Sequence, residues 1–130
     1  MSRSILSRTL VGLVFASVLF ANAASAKHDE SIIEVDNKSQ GAGEIKFKFT
    51  PVGGEPQEIK VGIIEKMQPS EIARDIMKAF DLALGDDYQV KMKSDQSVSI
   101  EGNPKVKDRE IKFAIAIAGV DVPGVSVVIK

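Results

Sequence analysis

Residues 69–84 read PSEIARDIMKAFDLAL, and the period of this stretch decides the fold. Ile72, Ala73, Ile76, Met77, Phe80, Ala83 and Leu84 recur at helical spacing and make one broad apolar stripe. Glu71, Arg74, Asp75, Lys78 and Asp81 fall on the opposite face. Pro69 suits the first helical position, and Glu71 puts a carboxylate in the first turn, at the positive end of the helix dipole. Gly85 is expected to close the helix as a C′ glycine. A lone helix of 16 residues cannot bury such a stripe on itself, so the rest of the chain must supply the surface that covers it.

On both sides of the helix the period drops to two. Upstream, Ile45, Phe47 and Phe49 alternate with Glu44, Lys46 and Lys48, and Ile59, Val61 and Ile63 alternate after the turn PVGGEP at 51–56. These two runs predict a hairpin. Downstream, Tyr88, Val90 and Met92 alternate with Gln89, Lys91 and Lys93; Val98 and Ile100 follow the turn at Ser94-Asp95. After a loop at 101–108, Ile111, Phe113, Ile115 and Ile117 predict a long strand, and Val125, Val127 and Ile129 a final one. Ser31–Val35 is expected as a short edge strand within a flexible start, residues 27–43, ahead of a single α+β domain at 44–130. The expected order is (β)ββαββββ, with one amphipathic helix packed on a mainly antiparallel sheet. The alternative is a small, partly closed β-barrel plugged by the helix.

Further out, the first 26 residues carry the pattern of a secretory signal peptide. Arg3 and Arg8 give a positive start, Leu10–Ala21 is an apolar run of 12 residues, and Ala24-Ser25-Ala26 is a small-x-small cleavage site. A bilayer core asks for about 20 apolar residues, so removal is expected rather than a retained transmembrane segment. Cleavage after Ala26 leaves 104 residues, one domain in size. It leaves 15 basic residues against 18 acidic ones, a net charge of about −3. The expected location is the periplasm or the medium. With no cysteine in the chain, disulfides, thiolate clusters, c-type haem attachment and cysteine nucleophiles are excluded.

Catalytic patterns are sparse. His28 is the single histidine, and the serines stand in no nucleophile motif. Asp86 and Asp87 are adjacent carboxylates after Gly85, which reads as a helix-to-strand loop; a small carboxylate-dependent envelope enzyme is one alternative function. No metal or cofactor is expected. Only a cut after Ser25 would set His28 third in the chain, where an amine, two amides and the imidazole suit Cu(II) or Ni(II). Phe47, Phe49, Met77, Phe80, Met92 and Phe113 read as core, with a carrier of a small apolar ligand as the other alternative.

One pattern points to binding. Lys46, Lys48, Lys60, Lys91, Lys93 and Lys112 all fall on the phase opposite the apolar residues. Like charges across a sheet are mildly destabilising, so a shared lysine face suggests selection for anions. The leading expectation is a non-catalytic exported domain that binds or assembles with an envelope or extracellular component through that face. Its partner would be an acidic protein, an anionic lipid or a glycan. Nucleic acid is the weakest candidate, because no exposed aromatics interleave the lysines for base stacking.

Overall fold

The computed structural model describes residues 28–130; the leader read over residues 1–26 lies outside the described residues. The elements in chain order are β1 (Glu30–Asp36), β2 (Gly43–Pro51), β3 (Gln57–Ile63), α1 (Pro69–Ala83), β4 (Tyr88–Ser94), β5 (Ser97–Gly102), β6 (Phe113–Asp121) and β7 (Ser126–Ile129). The chain is α+β, with one helix on antiparallel strands in the expected order. No helix among the described residues is long and apolar enough to cross a membrane.

The strands divide into two open sheets, β4-β5-β1-β7 and β3-β2-β6, with every pairing antiparallel. The barrel alternative is therefore not the architecture. Both inner faces and the helix stripe share one core. It holds Ile33 and Val35 from β1, Ile45, Phe47 and Phe49 from β2, and Ile59, Val61 and Ile63 from β3. Ile72, Ala73, Ile76 and Phe80 enter from α1, and Val98 and Ile100 from β5. Phe80 meets Phe47 edge-on with ring centroids 5.2 Å apart. Phe49 stacks on Phe113 at 5.2 Å and meets Tyr88 edge-on at 5.1 Å. Such offset and edge contacts are the favoured aromatic geometries.

Two local expectations are corrected. Ser31–Val35 is not an edge: β1 lies inside its sheet, between β5 and β7. Its neighbours come from the far end of the chain, and no local pattern reveals pairing over that separation. Gly85 does not close the helix in a left-handed conformation either; among the described residues the glycines with positive φ are Gly53 and Gly124. The chain leaves α1 by extending at Leu84 (φ −96, ψ 153), whose N–H still donates to Phe80 O at 2.9 Å. At the other end Gln68 is the N-cap residue, and its N–H donates to Glu71 Oε1 at 2.9 Å, one half of a capping box.

Ser39 ties two loops together. Its Oγ donates to Ile64 O at 2.7 Å and accepts from Met67 N–H at 2.8 Å, linking the β1–β2 loop to the segment that leads into α1. This buried hydroxyl is fully used by backbone groups.

Candidate functional site

The outward phase of the lysines holds, but the two sheets divide them. On β2 and β3, Ile45, Phe47, Phe49, Ile59 and Val61 take the inner face, and strand geometry then sends Lys46, Lys48 and Lys60 outward. Register places Lys46 directly opposite Lys60, and Lys48 opposite Glu58. Lys60 Nζ lies 3.7 Å from Glu58 Oε1. Among the described residues, no carboxylate lies within 4.0 Å of Lys46 or Lys48. The third strand of this face contributes exposed Ala114, Ala116 and Ala118, so the lysines rise beside a low floor.

The other three candidates sit elsewhere and are neutralised locally. Lys91 and Lys93 belong to β4 in the four-stranded sheet, 3.6 Å from Glu101 and 3.8 Å from Glu30 respectively. Glu30 also accepts from Ser99 Oγ at 2.9 Å. Lys112, just ahead of β6, lies 3.7 Å from Asp29 and 3.6 Å from Glu110. Of the six candidates, Lys46, Lys48 and Lys60 are thus the group that shares the outer face of the three-stranded sheet, and among the described residues Lys46 and Lys48 have no carboxylate within 4.0 Å. A polar groove of about 310 Å³ lies at one end of the strands of the four-stranded sheet, lined by Glu34, Asp36, Ser94, Gln96, Ser97 and Ser126 among others.

The loop that carries the adjacent carboxylates is tied down structurally, with Asp87 bonded through its side chain and Asp86 through its backbone carbonyl. Asp87 Oδ2 accepts from Arg109 Nη2 at 2.8 Å, and Asn103 binds this loop twice, through its N–H to Asp87 O and its Nδ2 to Asp86 O. The hydrogen bond to Asp87, followed by the charges of Asp87 and Asp108, raises the Arg109 pKa above its ordinary value. Burial, aided by the charge of Asp87 and opposed by Arg109, raises the Tyr88 phenol above 10.0. The apolar residues weighed for a ligand pocket pack against one another as core: Phe47, Phe49, Phe80 and Phe113 are buried, with Met77 and Met92 against them.

His28, within the segment expected to be a flexible start, is bound at both ring nitrogens. Ile111 N–H donates to Nδ1 at 2.9 Å, and Nε2–H donates to Val106 O at 2.9 Å, the tautomer that this pair of partners requires. Gly102 makes room for the ring; a Cβ there would stand 2.5 Å from His28 Cβ. The sequence signal for this clasp was slight: a histidine among charges, with no local partner.

No family model matches the chain, and no curated protein matches it in sequence.

Proposed function

We propose that the chain is an exported, non-catalytic domain that binds or assembles with an anionic component of the cell envelope or its surroundings, using Lys46, Lys48 and Lys60. The observation that carries this is the cross-strand pair Lys46–Lys60, with Lys48 one row away and, among the described residues, neither Lys46 nor Lys48 neutralised by a carboxylate within 4.0 Å. A like-charge pair costs the isolated sheet some stability, and an anion laid across the face offsets that cost. Lysines that serve solubility alone need no such grouping.

Co-sedimentation of the mature domain with phosphatidylglycerol-containing vesicles, against vesicles of phosphatidylcholine alone, tests the reading. Surface lysines contribute about 1 kcal/mol each to binding an anionic bilayer. Changing Lys46, Lys48 and Lys60 to Gln should therefore weaken binding roughly 100-fold. Changing Lys91, Lys93 and Lys112 to Gln should leave most of it. Equal losses from the two triple variants, or no binding by the wild type, would remove the basis for assigning the face to anionic partners.

A further inference from the structure

We infer that the outer face of the three-stranded sheet docks on the same face of a second copy of this chain, an association that goes beyond the anionic partner proposed for the same lysines. Three cross-strand rows carry the inference. The first is Gly62, Glu44 and Asp121; the second is Lys60, Lys46 and Gly119; the third is Glu58, Lys48 and Ala116. Like charges thus stand side by side in two adjacent rows, Glu44 beside Asp121 and Lys46 beside Lys60. Each pairing is unfavourable within one sheet. Among the described residues, none of Glu44, Lys46, Lys48 and Asp121 has an opposite charge within 4.0 Å.

A two-fold axis running across the strands, between the first two rows, turns this conflict into complementarity. It lays the acidic row of one copy on the basic row of the other. Glu44 then faces Lys46 of the second copy, Asp121 faces its Gly119, and Lys60 faces its Gly62. The two glycines are the independent observation. A Cβ on Gly62 or Gly119 would meet nothing within 4 Å, and neither residue has a positive φ. Nothing inside the chain therefore crowds a side chain out of either position. Glycine weakens a strand and often marks the close approach of another molecule. Gly119 follows a bulge, where the register slips between Lys46 and Phe47, but Gly62 lies in unbroken register. In the paired arrangement Gly62 leaves the space that Lys60 of the other copy fills, Gly119 leaves space for its Asp121, and Ala116 and Ala118 keep the flank low.

Cyclic dimers with self-complementary faces are the commonest oligomers. Three strands about 4.8 Å apart and five residues rising about 3.3 Å each give roughly 240 Å² of flat face. A standard interface buries about 800 Å² per partner, so the pairing is weak, and it depends on concentration and salt.

Sedimentation equilibrium of the mature domain tests this directly. At low ionic strength the average mass should climb from one copy toward two as concentration rises, and should fall back when salt is added. Lys46→Glu with Lys60→Glu makes the charges of the first two rows all acidic, and Glu44→Lys with Asp121→Lys makes them all basic. Each double variant alone should stay monomeric, and an equimolar mixture should associate. Gly62→Thr should raise the thermal unfolding midpoint, because threonine suits an uncrowded strand position, and should abolish association. A wild type that stays monomeric at every concentration and salt, or a mixture that stays apart, overturns the inference. If that monomer still binds phosphatidylglycerol vesicles through Lys46, Lys48 and Lys60, the proposed function survives without the dimer. If it binds nothing, both fail.

Discussion

At the scale of single residues, Tyr88 shows how local packing sets a pH response. Its ring lies edge-on to Phe49 and Phe113, and burial is the main reason its phenol titrates above 10.0, with Asp87 adding and Arg109 opposing. The unfolded chain loses this proton near the ordinary value, while the folded chain holds it to higher pH. The stabilising contribution is thus complete below pH 10 and declines as pH rises from there through the folded value. Denaturation midpoints measured from pH 9 to 11.5 should therefore fall less steeply in Tyr88→Phe than in the wild type. Identical slopes would mean that the phenol is no better shielded in the folded chain. Arg109 acts at the same scale from the surface, holding Asp87 and so the turn into β4. Alternation alone put Tyr88 on the inner face of its strand. Its coupling to Arg109, which lies beyond the β4–β5 hairpin, had no sequence signature.

At the scale of elements, α1 and the β2–β3 hairpin were legible because each repeats its own signal several times over. Four helix residues are buried on one stripe, and the hairpin register runs unbroken from Gly43–Ile63 to Phe49–Gln57. The centre of the helix contact is Phe80, fully buried against Phe47. Phe80→Ala should cost about 3–5 kcal/mol in a denaturant titration, since the cavity adds to the lost transfer energy. A loss below about 1 kcal/mol would mean the site collapses around the smaller side chain. What could not be read was partnership. Period two tells which side of a strand faces inward, but not which strand lies beside it. The split into two sheets, the interior place of β1 and the separation of Lys46, Lys48 and Lys60 from Lys91, Lys93 and Lys112 all follow from pairing. The helix end was misjudged for a different reason. Glycine permits a left-handed cap without requiring one, and Leu84 had already turned the chain into an extended path.

At the scale of the whole molecule, the two sheets are joined just ahead of β1. Asp29 N–H donates to Ile111 O at 3.0 Å, and Asp29 O accepts from Gly102 N–H at 3.2 Å. Its carboxylate also accepts from Phe113 N–H at 3.1 Å, and His28 binds Ile111 and Val106. These two residues therefore fasten the end of β5, in one sheet, to the approach and first residue of β6, in the other. The cut expected after Ala26 falls just upstream and spares both. The exported protein should begin at Lys27, which N-terminal sequencing of the periplasmic or secreted fraction will report. A start at Met1 or Ser2 in a membrane fraction would contradict export with removal of the leader. The clasp makes a separate demand on stability. A net contribution of about 1 kcal/mol per hydrogen bond, discounted for partial exposure, gives roughly 2–4 kcal/mol for the set. A chain beginning at Glu30 should be less stable than one beginning at Lys27 by that amount, and the amides of Ile111 and Phe113 should exchange faster with solvent. Equal unfolding midpoints for the two chains would show that the sheets hold together without their first residues. The unity of the fold would then rest on the shared core alone.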